Sequence, residues 1–185
     1  MTDLVLRRVR PWGGAETDLM LRDGRIVGDA PAPAAPAVPA IDGGGAIALP
    51  GFVDAHAHID KTLLGTPWHA HRAGPTVRDR IETEHRVRAA LGLSPAVQSR
   101  RVVDHMVARG TTHTRTHVDI DPGLGLAHLE GVLETREAAR HLIDIQIVAF
   151  PQSGVMIRPG TLELLDRAVA EGAELVGGLD PIGID

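Results

Sequence analysis

The first 28 residues carry a pattern of apolar and polar positions that predicts a small β unit. Residues 3–10 mix apolar and polar side chains as a strand does, and residues 17–28 show the same pattern on both sides of Asp23-Gly24. An Asp-Gly pair between two such runs is a strong hairpin signal. We therefore expect residues 1–49 to form part of a small β subdomain.

The pattern changes at Pro50, after an Ala/Pro-rich segment at 30–40 that predicts a stiff, extended connector. A buried strand is predicted at 51–56, followed by helices at 77–91 and from Ser94, where Ser94 serves as the N-cap and Pro95 as the first helical residue. Strands and helices then alternate, with strands predicted at 111–119, 143–150 and 175–179 and helices at 126–142 and 161–171, the last with Thr161 as its N-cap. These three strands are spaced about 30 residues apart, the length of a βαβ unit, so we expect a parallel sheet.

Polar side chains occur where each predicted strand of this region ends. They fall in the segments Asp54–Lys61, Thr116–Asp119, Pro151–Ser153 and Asp180–Pro181. Functional residues of parallel α/β proteins lie at the carboxyl ends of the strands. The sequence therefore predicts one functional site at that edge of the sheet.

Two histidine pairs have the spacing of metal ligands. Because residues i and i+2 of a strand point the same way, His56 and His58 can reach one metal ion. Zinc, iron, cobalt and manganese all accept imidazole, so the pair does not select the metal. His69 and His71 have the same spacing in a predicted loop that does not fix their rings, and we do not expect them to bind a metal.

The other polar residues at the strand ends each have a structural and a functional interpretation. Lys61, the only lysine in the chain, is either a solvated loop residue or a substrate contact. Gln152 either caps a turn or hydrogen-bonds a ring carbonyl and N–H with its amide. His117 and Asp119 either orient a metal ligand or form a buried structural pair, and Asp180 is a site residue or a turn residue before Pro181. The histidines on helices or away from strand ends are expected on the surface or in packing contacts: His85, His105, His113, His128 and His141.

Composition removes several functional classes. Acidic residues outnumber basic ones 24 to 19, so a nucleic-acid partner is not expected. No apolar run reaches the ~20 residues of a membrane helix, and no signal peptide is recognisable, so we expect no membrane partner and a cytoplasmic location. The absence of cysteine excludes disulfides and thiolate metal sites.

Four ordered motifs resemble the amidohydrolase superfamily, in particular its cytosine deaminase branch with the ammelide-type aminohydrolases. They are Leu49–Lys61, Thr114–Asp119, Asp144–Gln152 and Leu175–Pro181. The resemblance implies an α/β fold: the N-terminal half of a (β/α)₈ barrel with part of a small β-sandwich subdomain. Residues 50–185 would then be the first four β/α units.

The resemblance also implies a chemistry. One divalent metal, zinc or iron with manganese as a further option, would be held by His56 and His58 together with a His and an Asp from later strands. Lys61 and Gln152 would contact the ring of a small N-heterocycle such as a pyrimidine or triazine. Attack by a metal-bound hydroxide would then expel an amine. The catalytic acid/base residues are unknown and are expected in later strands, beyond Asp185.

Two alternatives to the deaminase-type enzyme stay open. The chain could be a non-catalytic half-barrel that needs a second chain or acts as an interaction module, since an open sheet invites association. It could also be a complete small α/β binding protein with a passive metal site at His56 and His58. We expect a homo-oligomer or association with a second half.

Overall fold

A computed structural model describes residues 3–29, 38–70 and 72–179 of the chain. Most of the predicted Ala/Pro-rich connector lies outside these residues, as do His71, Asp180 and Pro181. The chain separates into two compact units, Met1–Pro50 and Gly51–Asp185. That the first unit belongs to a β-sandwich and the second to an incomplete barrel domain stays a prediction of the domain organisation.

The first unit is a small β structure built on a hairpin. Its strands are β1 (Leu4–Pro11), β2 (Thr17–Arg22), β3 (Arg25–Asp29), β4 (Ala40–Asp42) and β5 (Ile47–Ala48). The sheet order is β3-β2-β1-β4, with β5 also paired to β1. The β2–β3 turn is the predicted one, and both Asp23 and Gly24 have positive φ (49° and 74°), as a type I′ turn requires.

The second unit is a parallel sheet whose strands alternate with helices. Its elements are β6 (Phe52–Ala57), a 3₁₀ turn (Ile59–Lys61), α1 (Val77–Leu91), α2 (Pro95–Val107), β7 (Thr111–Asp119), α3 (Ala127–Ala139), β8 (Asp144–Phe150), α4 (Thr161–Glu171) and β9 (Leu175–Val176). The strand order is β6-β7-β8-β9, and every neighbouring pair is parallel. The predicted element order and the parallel sheet are therefore confirmed.

The starts of α1, α2 and α4 agree with the sequence, but the N-cap residue of α4 differs from the predicted one. Ser94 accepts a hydrogen bond from the backbone at the start of α2, and Pro95 is the first helical residue. The prediction of Thr161 as the N-cap of α4 is wrong. Gly160 occupies that position with φ 95°, and the Thr161 hydroxyl instead donates to the Arg158 carbonyl at 2.8 Å.

The core of the second unit lies between the sheet and its helices. It consists of fully buried aliphatic side chains from strands and helices, chiefly Val103, Val118, Leu129, Val132, Ile145 and Ile147. This packing holds β7 and β8 in continuous register from His113↔Asp144 to Asp119↔Phe150. The side chains at the ends of these strands are therefore presented from a fixed frame. Within the described residues, no helix is both long enough and apolar enough to cross a membrane.

Candidate active site

Three neighbouring strands end at one edge of the sheet and place their polar residues together. β6 carries His56 and leads into His58, β7 carries His117 and Asp119, and Gln152 follows β8 by two residues. The parallel register aligns Asp119 with Phe150. The sequence-predicted residues from these three strands thus occupy one site, whereas Asp180, predicted at the end of the fourth, lies outside the described residues.

A group of three imidazoles forms one side of the site. The rings of His56 and His117 stack with centroids 4.2 Å apart, and the His58 ring lies 5.3 Å from His56 and 5.6 Å from His117. The Phe150 ring contacts His58 and His117 edge-on at 5.9 and 5.6 Å. Burial lowers the pKa of His58 and His117, so both rings are held in the neutral form that binds metals.

The imidazole group offers a partial metal site. The buried Nδ1 atoms of His58 and His117 have no hydrogen-bond partner among the described residues. Sets of three potential ligands within 4.8 Å of one another occur elsewhere in the described residues, at Asp60/Asp119/His128 and at Glu84/His85/Asp119. His56 and His58 belong to neither set; their imidazoles are chemically suited to a divalent ion but would supply only two of the ligands that such an ion needs.

Lys61 lies beside the imidazoles in a buried cluster. Its ammonium lies 3.2 Å from both carboxylate oxygens of Asp119 and 3.4 Å from Glu84 Oε1, and it donates to Gln152 Oε1. The Lys61 side chain is only 8 % exposed. The interpretation of Lys61 as a solvated loop residue is therefore wrong.

The carboxylates of this cluster have shifted pKa values. Burial raises the pKa of Glu84, and the positive charge of Lys61 opposes that rise. Burial would also raise the pKa of Asp119, but the nearby His85 imidazole and the charge of Lys61 hold it below its ordinary value. Asp119 thus stays ionised next to the ammonium, and the two groups stabilise each other.

A second buried carboxylate, Asp60, supports the turn that carries Lys61. Asp60 is fully buried, and its Oδ2 accepts hydrogen bonds from His128 Nδ1 at 2.8 Å and from the Asp119 backbone at 3.3 Å. Arg88 donates to the Asp60 carbonyl at 2.9 Å, and the Ile59 backbone donates to the Thr116 hydroxyl at 3.2 Å. Helices α1 and α3 and strand β7 therefore all fix this turn.

Two histidines of the site were missed from the sequence. His128 pairs with the buried Asp60, and His85 Nε2 lies 3.9 Å from Asp119 Oδ2, so neither is a simple surface residue and both have polar contacts that the sequence did not indicate. They lie on α3 and α1, far along the chain from the strand-end motifs. Only their helix positions relative to the sheet could have indicated these contacts.

Gln152 lies between the buried cluster and two clefts. One cleft of about 290 Å³ includes Glu84 and His69 in its lining, and a second of about 360 Å³ includes Arg78 and Ser153; Gln152 lines both. Gln152 is 8 % exposed, and its Nε2 is buried without a partner among the described residues. Its side chain therefore joins the lining of both clefts to the buried cluster around Lys61.

A parallel sheet whose strands alternate with helices, with imidazoles at its carboxyl edge, has the architecture of a barrel segment, and comparison with known proteins identifies its family. Residues 40–182 match the sequence model of the Amidohydrolase family. The chain belongs to this family, and the expected fold, an α/β chain forming part of a (β/α)₈ barrel, is confirmed.

Three relatives are similar to the chain over most of its length. The crystal structure of N-isopropylammelide isopropylaminohydrolase from Burkholderia multivorans is 48 % identical with a TM-score of 0.89, covering 100 % of this chain and 46 % of that one. The 5-methylcytosine deaminase of Klebsiella pneumoniae is 35 % identical with a TM-score of 0.69, covering 96 % and 43 %. The N-isopropylammelide isopropyl amidohydrolase of Pseudomonas sp. strain ADP is 38 % identical over 146 residues, 76 % of this chain and 36 % of its own. The chain thus spans less than half the length of these relatives.

Proposed function

We propose that the protein is a metal-dependent aminohydrolase that removes an amine from a small N-heterocycle such as a pyrimidine or triazine. The observation that carries this proposal is the meeting of two residue sets at one sheet edge. The imidazoles of His56 and His58 come from β6 and its end, and the Lys61–Asp119–Gln152 cluster joins the ends of the next two strands to them. The named activities of the relatives, on N-isopropylammelide and 5-methylcytosine, support the substrate class.

His56 and His58 would hold the divalent ion, zinc or iron. Such an ion supplies Lewis acidity, which makes a water molecule nucleophilic near neutral pH. Burial keeps His58 neutral and so ready to act as a ligand. Gln152 would orient the heterocycle through its amide, and Lys61 and Asp119 would hold that amide in place. We assign no acid/base residue among the residues described.

Metal analysis tests this proposal directly. We expect the complete gene product to bind about one divalent ion per chain, and His56→Ala and His58→Ala to lose it together with at least about 100-fold of amine release. His105→Ala is the matched control, because His105 is an exposed histidine in the last turn of α2. A metal-free wild-type protein, or full activity in His56→Ala, would refute the proposal.

The interaction module remains a second candidate because apolar side chains of β6 are exposed. Phe52 is 56 % and Val53 68 % exposed in the described structure. Exposed apolar strand residues favour association with another sheet or chain. Association without metal binding or amine release would favour this candidate.

A further inference from the structure

The donors of the Lys61 ammonium are already committed within the protein. A lysine has three N–H donors and no acceptor. Here the ammonium meets the two oxygens of Asp119, the amide oxygen of Gln152 and a carboxylate oxygen of Glu84. Its side chain is almost fully shielded from solvent. A ligand would therefore find no free donor on Lys61, although the family resemblance implies a direct contact with the ring.

The same contact determines which way the Gln152 amide faces. Amide oxygen and nitrogen are hard to tell apart by shape, and their assignment follows from their partners. Because an ammonium can only donate, the atom facing Lys61 must be Oε1. The remaining polar atom is Nε2, which is buried and has no partner among the described residues.

We propose that Lys61 is a positioning residue that locks the Gln152 amide, so that Gln152 can only donate to a ligand and selects rings with an acceptor, such as a carbonyl oxygen, at that point. This inference rests on the proposed function and adds to it which kind of ring group, a hydrogen-bond acceptor, Gln152 recognises. An acceptor reaching Gln152 from either cleft satisfies the unpartnered Nε2–H group. An exocyclic amine at the same point would face it donor to donor.

The charges around Lys61 favour its staying in contact with Gln152 over its moving toward a ligand. Two carboxylates from different elements contact the ammonium. They are Glu84 on α1 and Asp119 on β7, and only 1 % of the Asp119 side chain is exposed. Moving Lys61 toward a ligand would leave Asp119 buried without its ion-pair partner, which is costly. The energetically cheaper response to a ligand is a contact through Gln152.

The test measures binding rather than turnover, with two pairs of rings that differ by one exocyclic group. Uracil and isocytosine form one pair, and cyanuric acid and ammelide the other. They are titrated into the metal-loaded complete protein by calorimetry, and chromatography verifies that the amino ligand is unchanged. We expect at least one pair to show about tenfold or stronger preference for the oxo ring.

Substitutions at Gln152 test whether its amide donates a hydrogen bond to the ligand, as inferred. Gln152→Glu has the same shape and can pair with Lys61, but it replaces the donor with an acceptor, so the preference should reverse toward the amino ring. Gln152→Met removes both polar atoms and should erase the preference, and it serves where Gln152→Glu does not fold. An oxo preference retained in the variant that folds would overturn the inference.

A double substitution separates positioning from direct contact. Lys61→Met should reduce the oxo preference at least about fivefold in the wild-type background and have no further effect in Gln152→Met. Equal effects of Lys61→Met in both backgrounds would show that Lys61 touches the ring itself. If no ring binds the wild type, the proposed function is wrong and this inference falls with it; if both members of each pair bind equally, only the inference is wrong.

Discussion

At the residue scale, the site depends on two buried carboxylates that are balanced by cations or donors from other elements. Asp60 has His128 from α3, and Asp119 has Lys61 and His85 from the 3₁₀ turn and α1. A buried charge that loses its partner is far more costly than the pair is stabilising. Substitutions at these partners should therefore have large effects.

We predict that His128→Ala destabilises the protein by about 2–4 kcal/mol. Among the described residues, the substitution leaves the fully buried Asp60 carboxylate with only the Asp119 backbone as donor. Urea unfolding measures the change, and His105→Ala, at an exposed position, should stay within about 0.5 kcal/mol of the wild type. A loss below about 1 kcal/mol for His128→Ala would show that His128 is not the main partner that stabilises the buried Asp60 carboxylate.

We predict that stability of the metal-free protein falls as pH drops below the ordinary histidine pKa of 6.5. Burial lowers the pKa of His58 and His117 in the folded state, so the unfolded chain binds more protons in this range. The loss begins near the unfolded pKa and continues until the lowered folded pKa values are reached. Urea midpoints between about pH 5 and pH 8 measure it. The dependence of the urea midpoint on pH should be weaker in His58→Gln and unchanged in His105→Gln. An equal dependence in both variants would contradict the assignment of this effect to the buried histidines.

The candidate residues could be predicted from the sequence only where they lie in strand-end motifs. His56 lies near the end of β6, and His58, Lys61 and Gln152 follow strands; the repeat length indicates that these strands are parallel, and the proximity of the four residues follows from the fold. His128 has no such local signal, because a helical histidine meets Asp60 only through the packing of α3 on the sheet. The roles of the strand-end residues as ligands or contacts remain predictions.

At the element scale, the sequence predicts the bounds of α1 and α4 and the start of α2, whether or not a side chain caps the helix. α1 begins after Thr76, which forms a capping box with Asp79, and α2 begins after Ser94. By contrast, β9 ends at Val176, three residues earlier than predicted, where Gly177 packs against Val148 and Phe150. Gly177 and Gly178 follow its last residue directly, and glycine is a residue type that weakens strands.

The close packing of α2 and α3 requires a residue without a side chain. A Cβ on Gly131 would lie 2.6 Å from the Ala96 backbone nitrogen and 2.9 Å from Pro95 Cβ. A hydrogen bond between the Ser99 and Thr135 hydroxyls, 2.6 Å apart, joins the helices at the same interface. Because the clash involves the backbone at a helix start, a rotamer change cannot relieve it.

We therefore predict that Gly131→Ala destabilises the protein by about 1–3 kcal/mol, although alanine has the higher helix propensity. Thermal or urea unfolding measures the loss. Gly178→Ala is the matched control, because nothing lies within 4 Å of the position of its Cβ. A neutral or stabilising Gly131→Ala would mean that the two helices separate without cost.

At the scale of the whole molecule, the sheet of the second unit has strands paired on one side only. Within the described residues, β6 pairs with β7 alone and β9 with β8 alone, and both outer strands expose apolar side chains, with Val53 at 68 % and Val176 at 55 %. Open edges of this kind are templates for association. The same sheet therefore carries the candidate site at its strand ends and exposed apolar side chains on its outer strands.

We predict that the 185-residue polypeptide expressed alone self-associates through this sheet. Light scattering coupled to size-exclusion chromatography, at protein concentrations of about 10 μM, should show a mass above that of the monomer. The reason is that exposed apolar strands lower their free energy by pairing. Val53→Lys places a charge on the outer strand and should shift the population toward monomer. Leu162→Lys, at an exposed position on α4, is the matched control and should leave association unchanged. A monomer at all concentrations would contradict the predicted association, and equal effects of Val53→Lys and Leu162→Lys would place the association surface away from the sheet. Either outcome would weaken the case for the interaction module.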